Sequence, residues 1–391
     1  MKIKDIRVYS LSVPRKRRTP QFIPVSAAKN IMNSIHACFV VIETQEGLMG
    51  VGECTVREIP DAHAAIIQTL FRPLLIGSDP IENEVLWNSM FATLRTRGHN
   101  SGVFFEALAG VDCALWDLRG KYLHMPVYRL LGGSRTKKIR AYASSILFGE
   151  DPKGLAVKLV EMGHKQIKIK VGLGLERDVN NIKAIRDILG YSVEVIADAN
   201  SAYSTYDAIR LGRQLERYEI KWFEEPVAPD NIDGYVEVAR SLDVPIAAGE
   251  SHFSKYTFLD MMKRRAVDII QPNVGRSGGI TECKKILGMA EAFNLQYAPH
   301  TGLSGIGCRA ASIHLASTVP DDIFLTYEYG IFSHPFGNYL LKSPVEIFQN
   351  GYVDVPQKDG LGLELDDSKL DYFLTGAVRE WDDTRLVESI I

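Results

Sequence analysis

From Ile139 onward the chain alternates short β-rich runs with amphipathic helical stretches. No other feature limits the possible folds as much. The runs cover residues 139–144, 166–170, 193–198, 221–224, 244–249, 267–271, 295–298 and 323–327. Strands that alternate with helices form parallel βαβ units, because the crossover between parallel strands needs a helix-length connection. Eight such units in this span suit a closed barrel better than an open doubly wound sheet. The tail, residues 351–391, holds no ninth unit. Its Gly-rich turn Asp359-Gly360-Leu361-Gly362 is expected to fold back onto the start of the chain.

The segment before the barrel reads as α+β. Residues 4–13 and 37–43 look like strands, and glycines 47, 50 and 52 suit a hairpin into a third strand over 47–53. Residues 62–95 and 105–121 carry helical periodicity, the latter with Leu108, Val111, Leu115 and Leu118 on one face. Between the first strands lies an irregular stretch, 15–30, with the basic run Arg15-Lys16-Arg17-Arg18 and Lys29. A loop of that length is either functional or disordered.

Composition narrows the class. The chain has 391 residues, 46% of them hydrophobic, and a formal net charge of −3. That balance gives no general attraction for nucleic acid or an anionic membrane. No apolar run approaches the length of a membrane helix, and the N-terminus lacks the apolar core of a signal peptide. The five cysteines are scattered and form no CxxC pair. Reduced thiols in a cytoplasmic protein are therefore expected, not a disulfide frame or a zinc site.

Barrel sites gather at the C-terminal ends of the strands. Lys168 and Lys170 end the second run, Asp198 the third and Glu224 the fourth. Glu250, Asn273, His300 and Glu328 follow the fifth to eighth. Equal intervals separate Asp198 from Glu224 and Glu224 from Glu250, so one βα unit lies between each acid and the next. Three ionised carboxylates side by side need a compensating cation, and hard oxygen ligands select Mg²⁺, Mn²⁺ or Ca²⁺. Lys168 and Lys170 alternate on one strand and so share a face. Their mutual proximity, and that of a metal, is expected to lower their pKa and make one a general base. Asn200 shares a face with Asp198 by the same alternation; substrate contact and turn formation are both open to it. His252, close after Glu250, is a weaker candidate.

These motifs resemble the enolase superfamily, in its mandelate racemase-like branch. The matching stretches are Lys168-Ile169-Lys170, Ala197-Asp198-Ala199-Asn200, Trp222-Phe223-Glu224-Glu225-Pro226, Ala248-Gly249-Glu250 and Pro299-His300, with Gly110 to Leu118, Leu130-Leu131-Gly132-Gly133 and Gly360-Leu361-Gly362. The resemblance implies a modified (β/α)7β barrel over residues 126–350. It also implies an α+β capping domain over 1–125 and a C-terminal return over 351–391. It implies Mg²⁺, with Mn²⁺ as the alternative, held by Asp198, Glu224 and Glu250 against a small-molecule carboxylate substrate. Lys170 would then be the base, Lys168 would steady the carboxylate, and His300 would be the acid/base of the other face. Asn200, Glu328 and Asn273 would line the substrate, Glu328 bonding its carboxylate. A homo-oligomer is expected.

One position departs from the family. Gln271-Pro272-Asn273 puts Asn273 where members carry an aspartate beside the histidine. An amide can orient the ring but cannot stabilise an imidazolium by charge. Arg276 stands where relatives have a lysine, as a compensating charge or a plain loop residue. A weakened His300 argues against two-base racemisation and favours dehydration of a sugar acid, aldonate or aldarate, to a 2-keto-3-deoxy acid. A distal carboxylate met by Lys29 and the Arg15–Arg18 run would favour an aldarate. An epimerase or cycloisomerase, and a silent metal-binding barrel, are the alternatives.

Overall fold

The computed structural model describes residues 1–16, 34–146, 152–377, 380–382 and 387. Lys29, Arg17 and Arg18 lie outside these residues. Three antiparallel strands open the chain: β1 (Ile3–Pro14), β2 (Ser34–Thr44) and β3 (Met49–Cys54). The helix Gly102–Tyr122 packs on them and is buried along most of its length. Gly50 and Gly52 permit this approach, since a Cβ on either would fall 2.2 or 2.1 Å from a backbone oxygen of that helix. The helical stretch expected over 62–95 is broken. Helical turns from Pro60 to Leu75 end at Gly77, whose φ is +79°, and a new helix begins at Asn83.

The barrel strands follow in chain order: β4 (Lys138–Ile146), β5 (Gln166–Lys170), β6 (Glu194–Asp198), β7 (Phe223–Glu224), β8 (Ile246–Ala248), β9 (Ile269–Ile270), β10 (Gln296–Tyr297) and β11 (Tyr327–Gly330). Neighbours from β4 to β10 pair in parallel, and β11 pairs in parallel with β4. Phe324 bridges Tyr297 and closes the ring. An α-helix follows each strand from β4 to β10, whereas only the 3-10 turn Asn338–Leu340 stands between β11 and the next strand, so the fold is a (β/α)7β barrel with an N-terminal cap. The last strand begins later than the sequence suggests. Ladder pairing starts at Tyr327 opposite Ala141, so Glu328 lies within the strand.

Period-2 alternation sorts the side chains. Ile167, Ile169, Val195, Ala197 and Phe223 face the helices and join the main core. Tyr142, Ile196, Trp222, Ala247, Ile269 and Ala298 fill the barrel interior. A hairpin of β12 (Phe348–Gln349) and β13 (Tyr352–Asp354) pairs antiparallel with the start of β4. The chain then returns to the cap, where Leu361 N–H donates to buried Asp117 at 2.7 Å. Asp112 likewise takes Thr281 N–H at 2.9 Å and its hydroxyl at 2.6 Å, fastening the cap helix to the barrel.

Burial pushes His164, His252 and His314 down to about 4. His164 stacks on Phe348 at 4.1 Å, and neither ring nitrogen has a partner among the described residues. These rings stay neutral in the fold but charge in the unfolded chain below pH 6.5. The unfolded state therefore binds more protons, and their contribution to stability, complete above pH 6.5, is lost as pH falls toward 4. The urea midpoint should drop over that window. His164→Phe, which keeps the stacking, should flatten part of the slope; an unchanged slope would contradict this account.

Candidate active site

The strand ends carry the expected residues to one rim. Asp198, Glu224 and Glu250 each offer one carboxylate oxygen, and these lie within 4.8 Å of one another. Asp198 ends β6 and Glu224 ends β7, both on inward positions. Glu250 breaks the alternation. Gly249 before it has φ +153°, and a Cβ there would lie 2.6 Å from Gln271 backbone, so only glycine lets the chain turn the acid inward.

Lys168 is the hub. Its Nζ donates to Glu224 Oε1 at 2.6 Å and Glu328 Oε1 at 2.8 Å, and lies 3.3 Å from Asp198 Oδ2. The ammonium also sits 5.5 Å from the centre of the Tyr142 ring. Burial alone favours the neutral amine, but Glu224 and Glu328 outweigh it and hold the pKa well above the usual lysine value. The expected lowering thus fails for Lys168: the carboxylates around it lock its proton on. Lys170 differs. It bonds Asp198 Oδ2, yet its side chain remains 12% exposed against 1% for Lys168, so it alone of the two opens to the mouth.

The acids are unequal. Burial opposes ionisation of Asp198, but Lys170 and Lys168 hold it down to about 2. Burial drives Glu224 upward, and Lys168 offsets only part of this against Asp198, Glu328 and Glu250. Both Glu224 oxygens are engaged, Oε2 by Trp222 Nε1 at 3.0 Å and Gln271 Nε2 at 2.8 Å. Glu250 accepts from Arg57 at 3.3 Å and faces His300 Nε2 at 3.1 Å. Glu225 is buried beside them, raised first by burial and then by Glu250 and Asp198, with Oε1 unpartnered among the described residues. Carboxylates outnumber the cations facing them, which is the setting in which a buried cation is stabilising. The donor set of three hard oxygens fits Mg²⁺ or Mn²⁺.

Other expected residues take altered places. Asn200 lies past the strand with φ +40°, so the alternation does not extend to it. Its N–H caps Asp198 Oδ1 at 2.9 Å and its amide reaches Glu225 at 3.4 Å, a turn former at the site's edge. Glu328 does not stand open to a substrate carboxylate. Lys168 and Ser144 occupy Oε1, the latter at 2.6 Å, while Thr301 and Gly302 N–H groups occupy Oε2 at 2.6 and 3.0 Å. Burial opposes its ionisation, but Lys168 holds its carboxyl well below the usual range, and the donors around both oxygens match a carboxylate. Asn273 contacts His300 Nδ1 through Nδ2 at 2.9 Å. Burial pushes His300 down, with Glu250 and Glu328 opposing.

His252 stays out of the constellation: its Nε2 meets Pro229 O at 3.1 Å and its ring packs against Phe258. Arg276 is a brace. It donates to Glu106 at 3.0 Å and to the backbone oxygen of Glu250 at 2.9 Å. Sequence reasoning missed Arg57 and Thr55, which reach the rim from the cap and carry no local pattern, and also Ser144, although it ends the first barrel run. Gln271 was within reach, since it shares the inward face with Asn273.

Binding of a divalent cation should raise the melting temperature, because only the folded chain assembles the three acids; saturation at 100 Kd stabilises by about 2.7 kcal/mol. Asp198→Asn should abolish most of the Mg²⁺-dependent rise in a thermal scan. A full rise in that variant would place the ion elsewhere.

Comparisons with known proteins agree with this architecture. Residues 8–132 match the mandelate racemase/muconate lactonizing enzyme N-terminal domain, and residues 153–369 match the enolase C-terminal domain-like family. The chain is 34% identical to arabinonate dehydratase of Saccharolobus solfataricus, over 93% of this chain and 97% of that one. It is 33% identical to D-galactarolactone cycloisomerase of Agrobacterium fabrum, over 85% and 90%. The crystal structure of 3,6-anhydro-D-galactonate cycloisomerase from Zobellia galactanivorans superposes with a TM-score of 0.84, at 33% identity over 95% and 99%. A Streptomyces coelicolor A3(2) racemase with bound magnesium superposes at 0.83, with 28% identity over 95% and 98%. The chain belongs to the enolase superfamily, as a lyase or isomerase of its mandelate racemase-like branch.

Proposed function

We propose that the protein is a Mg²⁺-dependent dehydratase of a sugar acid, acting by removal of the proton next to the carboxylate. One observation carries this reading: an accessible lysine, Lys170, stands beside a carboxylate triad fit for a divalent cation, with a second lysine locked in its charged form. The similarity to arabinonate dehydratase supports an aldonate as substrate.

Mg²⁺ bound by Asp198, Glu224 and Glu250 would act as a Lewis acid toward the substrate carboxylate and acidify the neighbouring C–H. Lys168 keeps its proton and offers fixed positive charge to the enediolate as negative charge moves onto the carboxylate oxygens. The neutral amine of Lys170 takes the α-proton, and the C–H electron pair enters the enediolate. Its collapse expels the β-hydroxyl, which needs one proton to leave as water. The resulting enol then tautomerises, gaining a proton at C3 and losing the one on its C2 oxygen, to give the 2-keto-3-deoxy acid. His300 lies beside the triad, its Nε2 3.1 Å from a Glu250 carboxylate oxygen.

A cycloisomerase is the second reading, favoured by the 33% identity to each of two cycloisomerases. It shares the deprotonation step. Incubation with Mg²⁺ and a panel of aldonates, aldarates and their lactones in D₂O separates the two by proton NMR. We expect a 2-keto-3-deoxy acid from at least one aldonate. Isomerised product without loss of water would favour the cycloisomerase, and no exchange over the panel would overturn both. Lys170→Ala should slow α-proton exchange by about 10²–10⁴-fold, the usual contribution of a positioned base. Exchange at the wild-type rate would remove Lys170 from this role.

A further inference from the structure

The cap reaches the histidine face through a closed set of hydrogen bonds. Thr55, just past β3, donates from Oγ1 to Asn273 Oδ1 at 3.2 Å. Gly275 N–H donates to the same oxygen at 2.9 Å. On the other side of the amide, Nδ2 donates to Ser304 Oγ at 3.3 Å and lies 2.9 Å from His300 Nδ1. Ser304 Oγ in turn lies 3.0 Å from Thr55 Oγ1. Thr55, Asn273 and Ser304 are all buried, so each bond counts against full desolvation.

The Gly275 N–H forces the direction of the amide, while the Thr55 hydroxyl has a second acceptor in Cys308 Sγ at 3.4 Å and either hydroxyl of the Thr55–Ser304 pair can donate. A primary amide has two acceptor sites on oxygen and two hydrogens on nitrogen. Gly275 can only donate, so Oδ1 must face it, with the Thr55 hydroxyl at its second acceptor site. Nδ2 then has its two hydrogens on Ser304 and His300. Ser304 accepts from Asn273 and lies against Thr55. Turning the amide over would set Nδ2 against the Gly275 N–H and lose these bonds together.

The strand that carries Thr55 is itself fastened to the helix after His300. Glu53 accepts N–H groups of Gly305 at 2.9 Å and Gly307 at 2.8 Å, at the start of the helix Ile306–Ala316. Gly275 lies so close that a Cβ would fall 2.2 Å from Thr55 Oγ1.

We infer that Asn273, its amide oriented by the Gly275 N–H and backed by Thr55 of the cap, fixes His300 in the tautomer that carries its hydrogen on Nε2. Nδ1 faces a hydrogen-bond donor and must accept, while Nε2 faces the Glu250 carboxylate at 3.1 Å and must donate. An aspartate in place of Asn273 would demand the opposite: it would accept from Nδ1–H and leave Nε2 free to take a proton. Asn273 is thus a positioning residue, and the hydrogen of the His300 ring stands on Nε2. Resting on the dehydratase reading, this makes the chemistry one-base. The proton taken by Lys170 is then the one returned to the departing hydroxyl, from the Lys170 ammonium. Water leaves and the amine is restored.

The test is ¹⁵N NMR of the full chain labelled at histidine, with and without Mg²⁺, the His300 signals identified by their loss in His300→Gln. The pyrrole-type shift should belong to Nε2 and the pyridine-type shift to Nδ1. Thr55→Val and Thr55→Ser should both retain the tautomer, because the Gly275 N–H still orients the amide. Asn273→Asp should move the hydrogen to Nδ1. A wild-type ring protonated on Nδ1 would overturn the inference, as would a hydrogen that stays on Nε2 in Asn273→Asp. The result does not depend on turnover: a failed substrate panel with the Nε2–H tautomer present would sink the dehydratase reading alone.

Discussion

The ammonium of Lys168, shared among Asp198, Glu224 and Glu328, is the contact around which the site is organised. An ammonium has three hydrogens, and each meets a buried carboxylate. Such a group is expensive to bury unless its charge is matched, and the acids are equally expensive without it. Yet one lysine cannot balance the whole rim. Lys170 and Arg57 add charge at Asp198 and Glu250, while Glu224 and Glu225 are still driven upward by burial and by their acidic neighbours. A divalent cation at the triad relieves the imbalance. The same charge arrangement then serves chemistry, since a pocket built to hold a cation and a fixed ammonium stabilises negative charge as it develops on a substrate carboxylate.

Barrel and cap divide the labour. The barrel supplies the strand ends, and with them the reacting groups. The cap supplies orientation. Arg57 reaches Glu250 directly, Arg276 ties the Glu250 backbone to Glu106 of the cap helix, and Thr55 backs the Asn273 amide that meets His300. Buried Asp112 and Glu53 fasten the two units by backbone N–H groups rather than by exposed ion pairs, and Asp117 fastens the C-terminal return to the cap in the same way. Loosening the cap would therefore disturb the histidine side of the pocket first, because the lysine side is held within the barrel.

Much of this was legible in the sequence for a simple reason. In a parallel barrel the end of each strand is a fixed address, so Lys168, Lys170, Asp198, Glu224, Glu250 and His300 could be placed on one rim from spacing alone. What was illegible came from contacts between distant segments. The charge of Lys168 depends on Glu328 on another strand, which reversed the expected direction of its pKa. Glu328 looked like a substrate ligand until the N–H groups of Thr301 and Gly302 claimed its second oxygen. Asn200 fell off the alternation because its backbone turns left-handed after Asp198. Asn273 was recognised as a departure, but its orientation is set by the Gly275 N–H and backed by Thr55, which no local pattern connects to it.

The central claim is that the rim is a cation site completed by its own lysines. Anomalous diffraction from crystals grown with Mn²⁺ tests it most directly, because the ion's position is read without any assumption about the reaction. The account predicts one strong peak at coordination distance from Asp198, Glu224 and Glu250, with Lys168 still bonded to Glu328. An empty triad in crystals that hold Mn²⁺ elsewhere would contradict it.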